Sequence, residues 1–234
     1  MNEHHRNLVA AIKKNGRSRA HSQANDSYLS SGHHYYDVSI PTLRALAKEW
    51  LKSNKGIADK EFIAVLDGLY GGRSYEEKVL ASLLIAGNHS GRRTIGHRQL
   101  DAWLDQLAGW AEIDSLCASA FTAEEILTDW TEWQRFIRRL MRDRNINKRR
   151  AALVFLTTAT RKSDDSRLPA LAFESIEALK PEREIIITKA VSWLLRSMVV
   201  RHKSMVAAYI KDTRNSLPAI AVRETTRKIA TGRK

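Results

Sequence analysis

The chain has 234 residues, 43% of them apolar and 28% charged, a globular composition that excludes wholesale disorder and collagen-like architecture. With only 11 Gly and 4 Pro it lacks the turn formers of a β-sandwich or barrel, and a single cysteine, Cys117, excludes a disulfide-stapled scaffold or a CxxC zinc knuckle. Lys and Arg number 39 against 26 Asp and Glu, a net charge of +13, which is the electrostatic footprint of a protein that meets phosphates.

The opening residues lack the apolar core of a signal peptide, and every apolar stretch is interrupted by Arg or Lys before the roughly 18 residues of a membrane span. A soluble, cytoplasmic protein without membrane contact is expected. Apolar residues recur at helical spacing along the chain, and no period-two alternation persists. The pattern predicts helices over 3–14, 41–52, 59–69, 74–87, 97–107, 111–120, 123–141, 147–159, 168–178, 183–199, 201–211 and 218–230, with the stretch around 17–30 unassigned. Three starts are marked by chemistry: Pro41 just after Ser39, and the capping boxes Ser74 to Glu77 and Thr122 to Glu125. Helices of this length, paired at roughly 35–45 residue intervals, suggest an α-solenoid of HEAT or armadillo character, with an irregular helical bundle as the alternative. Residues 1–234 read as one domain. A solenoid curves, and a concave face lined with Lys and Arg would cradle a duplex.

The densest basic block runs from Arg135 through Arg138, Arg139, Arg142, Arg144 and Lys148 to Arg149 and Arg150. Charge runs are usually solvated helix faces, but few acids neutralise this one, which favours nucleic acid. Further cations recur at Arg92, Arg93, Lys189, Arg196, Arg201, Lys203, Arg223, Arg227 and Lys228. Two segments combine an aromatic with charge on one helical face. Trp110 and Asp114 are four residues apart, and Lys189, Trp193 and Arg196 follow at i, i+4 and i+7. Taken singly, an indole in an apolar helix is more often packing and an Asp near a helix start more often a cap; the pair of segments is what draws attention.

Other constellations are weak. His4–His5 and His33–His34 lack the spacing of a helical zinc site and are expected to be exposed. Gly71-Gly72-Arg73-Ser74 is a turn into a helix, since no GxxxxGK[ST] is present, and Cys117 is expected to be a buried thiol.

Tyr28 to Arg44 including Pro41, Trp110-Ala-Glu-Ile-Asp114-Ser115, Asn145 to Arg150, Thr188 to Arg196 and Val222-Arg223-Glu224 together resemble the AlkD-like DNA glycosylases of the DNA alkylation repair group, built from HEAT-like repeats. The resemblance runs over most of the chain, in order and spacing, and departs from the family at Ala111 and Glu112. It implies an all-α solenoid with a basic concave face, acting as a monofunctional glycosylase on 3-methyladenine and 7-methylguanine in duplex DNA. It also implies site roles: Asp114 as the catalytic carboxylate, Trp110 and Trp193 as aromatic contacts to the lesion nucleotide, Arg150 as the cation accompanying the Asp, and Tyr28, Arg44, Arg149, Lys189, Arg196 and Arg223 as DNA-binding residues. Some relatives lack the Asp and Arg; this sequence keeps both. No cofactor or metal is expected, and the protein is expected to be a bacterial monomer associated with the nucleoid when on DNA. The alternative is a non-catalytic HEAT-like scaffold that binds nucleic acid or protein.

A single carboxylate suits that chemistry. A purine alkylated at N3 or N7 is already cationic and leaves as a neutral base without the acid that ordinary glycosidases require. One anion then stabilises the charge developing at C1′, while indole faces attract the same cation by about 0.5–2 kcal/mol each when desolvated. Glu112, two residues from both Trp110 and Asp114, is expected on a different face of the helix.

Overall fold

The computed structural model describes residues 2–17 and 28–233, so most of the unassigned stretch 17–30 lies outside the described residues. The regular elements among them are helices, with one isolated bridge between His34 and Ser74. They are α1 (Glu3–Asn15), α2 (Ile40–Ser53), α3 (Asp59–Tyr70), α4 (Tyr75–Gly87), α5 (His89–Arg92), α6 (His97–Leu104), α7 (Gly109–Ser119), α8 (Ala123–Thr128), α9 (Trp130–Leu140), α10 (Ile146–Lys162), α11 (Arg167–Leu179), α12 (Ile185–Thr213) and α13 (Ala219–Thr231). The expected all-α class holds, and no described helix is long and apolar enough to cross a membrane.

The marked starts form as their chemistry dictates. Ser39 accepts from the Thr42 N–H ahead of α2, and Ser74 and Thr122 close reciprocal capping boxes with Glu77 and Glu125. Four edges differ from the periodic reading. The segment 123–141 divides into α8 and α9 because Asp129, at φ −108° and ψ 42°, leaves helical geometry. Helices expected at 183–199 and 201–211 run on as α12, since no Gly or Pro stops them; the break appears instead as a kink at His202, whose Nε2 lies 3.1 Å from the Ser163 carbonyl. Helix α7 begins at Gly109, two residues before the expected 111, and the single turn α5 carries too few residues to show a period. Of the paired histidines, His5 is buried rather than exposed, with Nε2 3.1 Å from Glu77 Oε1.

The chain divides into two compact units, Met1–Ala120 and Phe121–Lys234. In the first, α4 packs against α2, α3 and α7. Its core holds Phe62 stacked on Trp50 and Tyr70 stacked on Trp103, whose indole N–H donates to Asp67 at 2.8 Å. In the second, α10 is flanked by α8, α9, α11 and α12, and α12 by α13, around a cluster of Phe121, Trp133, Phe136 and Phe155. Side-chain bonds within each unit recur at a nearly constant sequence offset: Asp67 with Trp103, Arg138 with Glu174, Arg149 with Glu182, Ser192 with Glu224, at separations of 36, 36, 33 and 32 residues. Such an offset is what successive helical repeats produce when each contacts its next neighbour.

Helix α4 also carries a buried acid with a consequence for pH. Glu76 is 1% exposed; its Oε1 accepts from the Tyr36 and Val38 N–H groups at 3.0 and 3.3 Å, while Oε2 is buried without a hydrogen-bond partner among the described residues. Burial raises this carboxyl above its ordinary value, against the opposing pull of the backbone N–H groups. The unfolded chain therefore gives up the proton first, and the contribution to stability is complete below about pH 4.3 and lost as pH rises through the folded value. Glu76→Gln keeps an accepting oxygen and cannot ionise, so the fall in stability between pH 4 and pH 8, measured by urea unfolding, is expected to be smaller than in the parent. An unchanged fall would contradict this.

Candidate active site

Helix α7 starts in an unusual way, and that start sets the position of Trp110 and Asp114. Gly109 takes a left-handed φ of +68°, and a Cβ there would stand 2.3 Å from the Leu29 carbonyl oxygen, so only glycine lets the 28–30 segment pass this closely. Ala108, at the N-cap, offers no side-chain cap. Glu112 instead satisfies the N–H of Ala108 itself, its Oε2 accepting at 2.8 Å, which ties the N-cap residue to the first turn of the helix. The other carboxylate oxygen accepts from Ser31 Oγ at 2.5 Å and His33 Nδ1 at 2.8 Å. Glu112 is 0% exposed, so a fully buried carboxylate clamps the 31–33 segment to the first turn of α7.

The clamp holds an aromatic pair at the surface. Trp110 Nε1 donates to the Tyr28 carbonyl at 2.9 Å, and the two rings meet edge to face with centroids 5.2 Å apart. Tyr28 is 71% exposed, and Trp110 and Asp114, one helical turn apart on α7, are both half-buried. The negative charge at Glu112 reaches further: burial first, and the Glu112 carboxylate second, push the Tyr75 phenol up to about 12.

The remaining sequence-predicted residues lie on other elements. Arg44 is exposed on α2, without a hydrogen bond or ion pair among the described residues. Arg149 and Arg150 sit near the start of α10. Arg150 is only 4% exposed and donates to the Ile186 carbonyl in the first turn of α12 at 2.5 Å. Arg149 grips Glu182 through two nitrogens at 2.7 and 3.1 Å and uses Nη1 on the Asp143 and Arg144 carbonyls at 2.8 and 2.9 Å. On α12 the stripe of Lys189, Trp193 and Arg196 forms at the expected spacing, Lys189 exposed and the other two half-buried. Arg196 Nε lies 3.2 Å from Glu224 of α13, and Ser192 Oγ donates to the same carboxylate at 2.6 Å. Arg223 is exposed on α13.

The sequence matches the family described as DNA alkylation repair enzyme over residues 10–229. The chain belongs to that family. A solved structure described as a predicted DNA alkylation repair enzyme from Enterococcus faecalis superposes with a TM-score of 0.76 at 19% identity, covering 92% of this chain and 98% of that one, a likeness of fold. Among curated proteins, no sequence matches this chain.

In this DNA alkylation repair family member, α7 carries Trp110 and Asp114 with the buried Glu112 between them in sequence. Ser31, His33 and Glu112 were not legible as a group, because the contact spans about eighty residues and no motif signals it. The one local hint is that Glu112 stands four residues after Ala108, the reach of a carboxylate to a helix start that lacks its own cap. Cys117 is buried, as expected. Among the described residues no group of three His, Cys, Asp or Glu side chains lies close enough together to hold a metal ion.

Proposed function

We propose that this DNA alkylation repair family member is a monofunctional DNA glycosylase that removes positively charged alkylpurines, 3-methyladenine and 7-methylguanine, from duplex DNA. The observation that carries the reading is the placement of Asp114 one turn from Trp110 on a helix whose start is fixed by Glu112. In this reading the C1′–N bond breaks with its electron pair going to the cationic base, which departs neutral. The Asp114 carboxylate stabilises the positive charge left at C1′ and orients a water whose oxygen bonds to C1′, and the water's proton passes to solvent. The indole face of Trp110 attracts the cationic base or sugar. The parts played by Trp193, Arg150, Arg196, Tyr28, Arg44, Arg149, Lys189 and Arg223 enter from the resemblance, with contact to the lesion nucleotide for Trp193 and to the duplex for the exposed cations.

A non-catalytic scaffold is the second reading, and Asp114 weighs against it, because a carboxylate on a phosphate-binding surface repels the ligand unless it has chemical work. Incubating the protein with randomly methylated duplex DNA and separating the products by chromatography tests the two. Free 7-methylguanine and 3-methyladenine are expected. Duplex binding without any released base would leave the scaffold.

A further inference from the structure

The basic block at the end of α9 is not absorbed by the site above. There Arg135, Arg138, Arg139, Arg142 and Arg144, with Asp143, line a solvent-open recess of about 700 Å³ in the second unit. We infer that this recess binds the phosphates of a DNA backbone and grips the duplex without regard to the lesion. The inference rests on the DNA-binding part of the reading above and not on its chemistry.

Helical spacing sets Arg135, Arg138 and Arg139 along α9, continued by Arg142 and Arg144 just past its end, a row about 10 Å long from Arg135 to Arg142. That exceeds the width of one phosphate and suits a run of phosphodiesters. Three of the five have internal anchors. Arg138 forks onto Glu174 with Nε at 2.9 Å and Nη2 at 2.9 Å, which lowers that carboxyl, and is braced by Gln134; Arg139 lies 5.3 Å over the Phe136 ring; Arg135 pairs with exposed Glu132. Arg142 and Arg144 are exposed and make no side-chain hydrogen bond or ion pair among the described residues. Arg142 adds a weaker electrostatic pull on the Glu174 carboxyl, after that of Arg138.

The backbone that presents these two is nonetheless fixed. Arg149, held by Glu182, ties down the Asp143 and Arg144 carbonyls; Asp143 Oδ1 accepts from the Asn145 N–H at 2.8 Å, and Asn145 in turn caps α10. Binding an anion here has to order side chains and not a loop, which keeps its entropic cost low. Guanidinium groups fork onto phosphate oxygens as they do onto carboxylates, so the recess offers donors of the right geometry as well as charge.

The test is fluorescence anisotropy with a labelled, lesion-free duplex over a salt series. The double variant Arg142→Ala/Arg144→Ala is expected to bind more weakly, with the slope of log K against log salt shallower by about two units. The control Arg161→Ala/Lys162→Ala removes the same charge from the exposed end of α10 and is expected to keep the parent slope. Thermal unfolding of each variant checks the fold, with Arg142→Gln/Arg144→Gln as the substitute if the alanine pair is destabilised. A parent-like slope in the recess variant, an equal loss in the control, or displacement by polyglutamate but not by lesion-free duplex would overturn the inference. Base release by the parent is followed in parallel: if it is absent while the slope change persists, the glycosylase reading fails and the recess stands.

Discussion

Replacing Asp114 with Asn is expected to lower the rate of methylated-base release by at least about 100-fold, the effect of removing one preorganised charge from a developing transition state. Binding to a lesion-free duplex should be equal or tighter, because an anion that repels phosphate is removed with it. The two readouts separate chemistry from recognition, and both follow from the role proposed for Asp114 on α7. Single-turnover release at saturating enzyme measures the first and anisotropy the second. Excision at the parental rate in Asp114→Asn would remove this residue from the reaction.

The second large effect is expected at Glu112. Changing it to Ala leaves the buried Ser31 hydroxyl and the half-buried His33 ring and Ala108 N–H without their acceptor, at a cost of about 2 kcal/mol in stability. The loss should be local as well as global. With the clamp gone, the hydrogen bond from Trp110 to the Tyr28 carbonyl no longer has a fixed partner, so amide exchange over residues 28–33 should accelerate more than exchange in α10. Urea unfolding gives the global figure and hydrogen exchange the local one. A variant as stable as the parent, with 28–33 still protected, would show that the clamp does not hold this segment.

Much of the fold was legible because its signals are local. Capping boxes at Ser74 and Thr122 and the proline at 41 set starts that the structure keeps, and the apolar period carried most of the rest. What escaped was the set of elements determined by single residues or by distant partners. Asp129 leaves helical geometry within a run whose apolar period continues, and His202 bends a helix that contains no Gly or Pro.

The candidate site was legible in the same uneven way. The spacing of Trp110 and Asp114 placed them on one face, as did that of Lys189, Trp193 and Arg196, since side-chain position within a helix follows from residue count. Count says nothing about partners. Arg149 reads in sequence as one cation among many in a basic block, whereas it bonds Glu182 and two carbonyls; Arg142 and Arg144, identical in type, are left exposed. Glu112 reads as an off-face acid, and only the fold reveals that the face it occupies is where the 31–33 segment docks.

In the proposed reaction one carboxylate suffices because the leaving base is already cationic. That sufficiency is tested most directly by single-turnover excision from duplexes that are identical except for one defined lesion: 7-methylguanine, 3-methyladenine, uracil or hypoxanthine. Release of the two methylated purines with no detectable release of uracil or hypoxanthine is predicted, because neutral lesions need an acid or a donor-lined pocket to stabilise the departing base. Efficient excision of uracil would contradict the account and require a second acid beside Asp114.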